Sequence, residues 1–116
     1  MVMAGMSGTT PSSELLARVR AGEVGGVILF GSNIASHAQV RDAVQTLQAE
    51  AARGGNPPLL ISADQEGGSI RRFADAPPVS PRSISTADEA TTQGRATGNF
   101  LHGEGVNVNL APIADV

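Results

Sequence analysis

Cysteine and lysine are both missing from these 116 residues. Without cysteine there are no disulfides, thiolate metal ligands or cysteine nucleophiles. All eight cations are arginine, which excludes a Walker A loop and a Schiff-base lysine as well. Tryptophan and tyrosine are absent too, and three phenylalanines leave little aromatic surface on which a ligand could stack. No apolar run approaches the roughly 18 residues of a membrane-spanning helix. The start, MVMAGMSGTT, has neither the basic region nor the long apolar segment of a secretory leader. With a net charge of −3 and scattered arginines, nothing in the chain attracts nucleic acid or an anionic membrane.

What is present suits one small globular domain. Hydrophobic residues make up 41% of the chain, and a domain of this length buries about two thirds of the surface its unfolded chain exposes. Short apolar runs alternate with helical patterns. Val2–Met6 reads as a strand, and Thr10 followed by Pro11 as the N-cap and first residue of a helix that Gly22 stops. Gly25–Phe30 is β-branched, bounded by glycines, and reads as a buried strand. From Ser36 to Arg53 the apolar residues Val40, Ala43, Val44, Leu47 and Ala51 repeat at three and four, predicting a helix ended by Gly54-Gly55. Pro58–Ala63 is a third strand. A proline-rich loop follows from Asp64 to about Ser85, and loops of that length are usually functional or disordered. Thr86 and Glu89 have capping-box spacing for a third helix reaching about His102, and Gly105–Val116 reads as a fourth strand.

The resulting β-α-β-α-β-α-β order, with strands continuous enough to be buried on both faces, predicts a parallel sheet with right-handed crossovers. An open doubly wound sheet and part of a (β/α)8 barrel both fit. In either, ligands sit beyond the carboxyl ends of the strands. Asp64 follows the third strand, Asp115 the fourth, and Asn33 lies in the loop after the second, so three polar groups are expected on one rim. Unpaired edges are expected beside Val27–Phe30 and Pro58–Ser62, where they would recruit other strands.

Plainer readings stand beside these. Gly67-Gly68 could make a simple turn capped by Asp64, with Arg71 and Arg72 solvated. Asp115 could be a structural hydrogen-bonding group at a strand end. His37 opens a helix and His102 closes one, without metal-ligand spacing. No G-x-G-x-x-G follows a strand and no G-x-S-x-G occurs, which argues against a dinucleotide site and a serine hydrolase elbow.

GGVILFGSNI, PLLISADQEGGSIRRF and GVNVNLAPIADV, in this order, closely resemble the N-terminal domain of family 3 glycoside hydrolases, over essentially the whole chain. The Asp-Gln-Glu-Gly-Gly string with an arginine beyond it resembles the bacterial β-N-acetylglucosaminidase branch. The β-glucosidase branch typically carries an Asp followed by a His-Gly element at that strand end. The resemblance implies an α/β fold, the first half (about four β/α units) of a TIM-type barrel. Residues 1–116 would be a partial family 3 barrel domain, truncated after the fourth strand, with the remainder of the barrel as its partner in a longer parent.

The resemblance further implies an exo-acting, retaining β-glycosidase that removes terminal N-acetylglucosamine from cell-wall or chitin-type saccharides. It places Asp64 and Arg72 on the terminal sugar as substrate-binding residues. Glu66, two residues beyond Asp64, is expected to brace the loop, and Glu66 and Asp115 are weaker, supporting candidates. A carboxylate satisfies sugar hydroxyl donors, while a guanidinium supplies donors and stabilises the carboxylate. Asp64 and Glu66, two residues apart on one loop, cannot flank a scissile bond as the catalytic pair. No catalytic residue is expected within the chain. The nucleophile is an Asp, and the acid/base a His-Asp pair, both expected downstream of Val116. No cofactor or metal is implied, and the compartment stays open, because members of that branch occur in the cytoplasm and as exported proteins. A β-glucosidase or β-xylosidase of the same family, a non-catalytic sugar-binding α/β module, and a flavodoxin-like nucleotide binder are the alternatives.

Overall fold

The computed structural model describes residues 2–112. Its elements are β1 (Met3–Gly5), α1 (Ser13–Arg20), β2 (Gly26–Leu29), α2 (His37–Arg53), β3 (Leu60–Ala63), α3 (Ala87–Gly103) and β4 (Val108–Asn109). Short 3-10 turns occur at Gly31–Asn33 and Pro81–Ser83. The strands form one parallel sheet in the order β1-β2-β3-β4.

That order separates the two architectures left open by the sequence. A doubly wound sheet reverses its direction of growth, which puts its first strand inside the sheet. Here every new strand is added on the same side, as in the winding of a (β/α)8 barrel. The flavodoxin-like alternative is set aside on this ground. The sheet edges also differ from expectation. They are β1 and β4, because these pair on the outer sides of β2 and β3 and leave both hydrophobic strands internal. β2 and β3 supply the buried Val27, Leu29, Ile61 and Ala63, whereas Met3 on β1 is exposed.

Local chemistry sets the helix ends. α1 starts later than Thr10-Pro11 suggests, because Ser12 is the residue that caps it: its Oγ accepts from the Leu15 N–H at 3.2 Å. At the other end Asn56 donates its side-chain N–H groups to the carbonyls of Val19 and Arg20, both at 3.0 Å. α2 is capped by Ser36, which accepts from the Gln39 N–H, and buries the predicted stripe from Val40 to Ala51. Glu50 is buried on the same stripe, paired with Arg20 at 2.5 Å and with Arg53. The Arg20 guanidinium, with help from Arg53, holds the Glu50 carboxyl below its ordinary value while burial pushes the other way. In α3, Thr86 caps the Glu89 N–H as its spacing suggests. The Glu89 carboxylate returns to Ser85 N rather than to Thr86, so the capping box is displaced by one residue.

Side-chain amides extend the sheet. Gln48 on α2 accepts from the Leu59 N–H at 2.8 Å and donates to the Leu59 carbonyl at 3.0 Å, just before β3 begins. Beside β4, Asn107 accepts from Ile61 N at 2.8 Å and donates to the Leu59 carbonyl at 3.0 Å. Each amide satisfies a backbone donor and acceptor as a neighbouring strand would.

Candidate functional site

β3 delivers Asp64 and Gln65 to the carboxyl-end rim of the sheet. The chain then turns sharply. Gly67 and Gly68 have φ of +100° and +61°, and Gly67 and Ile70 form an antiparallel bridge. A Cβ on Gly67 would run into the backbone carbonyl of Val79, so the returning Pro77–Val79 segment packs directly on this glycine. The hairpin brings Arg72 back to Asp64. Its Nη2 donates to Asp64 Oδ2 at 2.5 Å, a single charge-assisted hydrogen bond. The two side chains are 27% and 23% exposed, so the pair is partly open to solvent. The Arg72 guanidinium lies 5.9 Å from the centre of the exposed Phe30 ring, which follows β2. Arg72 Nε is buried and has no hydrogen-bond partner among the described residues.

The bracing expected of Glu66 is performed by its neighbour. Among the described residues the Glu66 side chain makes no hydrogen bond, whereas Gln65, 1% exposed, is fully engaged. Gln65 Oε1 accepts from Arg72 N at 2.8 Å and Phe73 N at 3.0 Å. Its Nε2 donates to the Phe73 carbonyl at 2.7 Å and to the Ala76 carbonyl. The pattern that marks Gln65 is present in the sequence: it continues the period-two face of Ile61 and Ala63, both 0% exposed.

Asn33 sits near the rim, but its amide is consumed. It donates to the Met6 and Gly8 carbonyls, both at 2.7 Å, and accepts from Phe30 N at 2.8 Å. Of the three polar groups expected on the rim, Asp64 alone keeps that place among the described residues, joined there by Arg72, and Asn33 is a structural clamp. Asp115 lies outside the described residues.

His37 stacks on Phe73 and stands 3.3 Å from Asp75 and from Glu104, which also pairs with Arg41 at 3.0 Å. Among the described residues no three His, Asp or Glu side chains are grouped so as to hold a metal ion. A mainly apolar cavity of about 670 Å³ lies between the Pro77–Ala87 segment and α3. Gln65 and Glu66 line it, whereas Asp64 and Arg72 do not.

A singly wound parallel α/β sheet with a carboxylate–guanidinium pair at the carboxyl end of a strand has the build of a (β/α)-barrel protein that binds its ligand at that rim. The family model for the glycosyl hydrolase family 3 N-terminal domain matches residues 1–116, and the chain belongs to that family. It is 36% identical over 120 residues to an uncharacterized secreted glycosyl hydrolase of Arthroderma benhamiae, covering 99% of this chain and 34% of the relative. It is 32% identical over 124 residues to a beta-hexosaminidase of Idiomarina loihiensis, covering 99% of this chain and 36% of the relative. Among solved structures, a family 3 beta-N-acetylglucosaminidase from a Paenibacillus species superposes with a TM-score of 0.84 at 36% identity. That match covers 95% of this chain and 22% of the other. The chain spans about a third of the length of these curated relatives.

Proposed function

We propose that residues 1–116 carry the terminal-sugar-binding part of a retaining, exo-acting β-N-acetylhexosaminidase, within a longer parent that supplies the rest of the barrel. The observation that carries this reading is the partly open Asp64–Arg72 pair at the carboxyl end of β3. Asp64 Oδ2 is already held by Arg72, which aims the carboxylate and leaves its other lone pairs for sugar hydroxyls. Arg72 keeps further N–H donors for oxygens of the same ring. The Phe30 ring offers the guanidinium a cation–π contact. Asp115 remains a supporting candidate near the end of the last predicted strand.

No side chain of this set is placed to cleave a bond. The nucleophile and acid/base are assigned to the remainder of the parent, and Asp64 and Arg72 to holding the sugar before and during the reaction. The relatives named as a beta-hexosaminidase and a beta-N-acetylglucosaminidase favour an N-acetylated substrate. The test compares the full-length protein on aryl β-N-acetylglucosaminide and on aryl β-glucoside. Preferential hydrolysis of the first, with the β-anomer as initial product, is expected. Preferential hydrolysis of the glucoside transfers the assignment to the β-glucosidase branch, and hydrolysis of neither by folded protein leaves the sugar-binding module.

A further inference from the structure

Gln65 stands between the ligand-facing pair and the core. We propose that Gln65 is a positioning residue that sets where Arg72 presents its guanidinium to the ligand; this rests on the sugar-binding reading of Asp64 and Arg72. Three links form a closed ring. Asp64 and Gln65 are consecutive in the chain, Gln65 Oε1 accepts from the backbone N–H of Arg72 at 2.8 Å, and Arg72 Nη2 returns to Asp64 Oδ2 at 2.5 Å. A shift in the Arg72 backbone therefore moves the base of the side chain that makes the ion pair.

The chemistry of the position selects an amide. One oxygen faces two N–H donors, and one nitrogen faces two carbonyls. A carboxylate of the same shape could accept from the two donors, but its second oxygen would meet the Phe73 and Ala76 carbonyls without a proton. Burial makes that arrangement unfavourable and raises the carboxyl's affinity for a proton, and once protonated it can donate again. The ring is supported on both sides. Phe73, whose N–H and carbonyl both bind Gln65, is 2% exposed and packs on Phe100. Asn109 accepts from the Gln65 N–H at 3.0 Å and donates to the Gln65 carbonyl at 3.1 Å.

The experiment uses full-length protein and the substrate it hydrolyses. Gln65→Glu is expected to raise KM at least about tenfold in neutral buffer, the effect of one lost charge-assisted contact. It should regain kcat/KM relative to the parent in mildly acidic buffer, as the buried carboxyl takes up a proton. In an Arg72→Ala background the same substitution should have little further effect, because the group it positions is gone. A purely structural role predicts the same loss in both backgrounds, and that outcome overturns the proposal. Parental kcat/KM for Gln65→Glu, alongside a large loss for Arg72→Ala, overturns it as well while sparing the sugar-binding reading. If Arg72→Ala itself keeps parental kinetics, the sugar-binding reading fails and this inference with it. Gln65→Met, which introduces no carboxylate, carries the two-background comparison if Gln65→Glu does not fold.

Discussion

The side-chain amide of Asn109 closes two hydrogen bonds on the backbone of Gln65, accepting from its N–H and donating to its carbonyl. Two positions earlier Asn107 does the same across Ile61 and Leu59. β4 is therefore bound to β3 partly through side chains, and the rim residues are fixed from the neighbouring strand as well as from their own loop.

If Asp64 accepts hydrogen bonds from sugar hydroxyls, Asp64→Ala in the full-length protein leaves those donors unpaired. A hydrogen bond to a charged group contributes roughly 1.5–3 kcal/mol. At about 1.4 kcal/mol per decade, kcat/KM should fall on the order of ten- to a hundredfold. Arg72→Ala should act similarly, and the double substitution should lose less than the sum, since the two bind each other and one ligand. Glu66→Gln should change kcat/KM little. Steady-state kinetics and melting curves on the same preparations decide. A lowered melting temperature with unchanged kinetics of the folded fraction would assign Asp64 to the fold alone.

Asn33→Ala should act on stability. The substitution strips partners from two carbonyls and one N–H around a residue that is 1% exposed. A buried group left unsatisfied costs about 1–3 kcal/mol, and the Met6 carbonyl is the buried one of the three, so a loss of about that size is expected. Urea denaturation of the full-length protein should give a lower midpoint with unchanged slope. A midpoint within error of the parent's would mean that water or a local shift replaces the amide.

Glu50 gives a pH dependence with a defined sign. Its folded pKa lies below the ordinary 4.5, chiefly through Arg20. The ionised carboxylate therefore stabilises the fold above about that value and loses this contribution as pH falls through the lower, folded one. Stability of the parent should drop more steeply with acid than that of Glu50→Gln, while the variant should be the less stable at neutral pH. Parallel curves for the two proteins would show that the arginines contribute nothing through this carboxyl.

Much of this was legible in the sequence because it follows from periodicity and local chemistry. The α2 stripe from Val40 to Ala51, Ser36 ahead of it and Thr86 ahead of α3 all lie where spacing puts them. Asp64 and Arg72 were legible as a pair through the family resemblance and the two glycines between them, and the hairpin joins them. Strand order was not legible from periodicity, because it depends on pairing between distant segments. The family resemblance implied the sequential order of a barrel, and the sheet has it. The fate of Asn33 was not legible either, since an exposed rim amide and a buried clamp read identically until the carbonyls of Met6 and Gly8 are in place. Gln65 was overlooked between two carboxylates, whose charge drew the chemical reading to themselves.

The double hydrogen bond between Gln48 and Leu59 has a consequence on a different timescale. The Leu59 amide precedes β3 and has no strand partner of its own, yet its proton is held by the half-buried Gln48 side chain of α2. Its exchange with solvent deuterium requires this side-chain contact between α2 and the start of β3 to open, rather than a strand end to fray. The Leu59 amide thus reports on the docking of that helix against the sheet, at a position where backbone pairing alone would leave a rapidly exchanging proton.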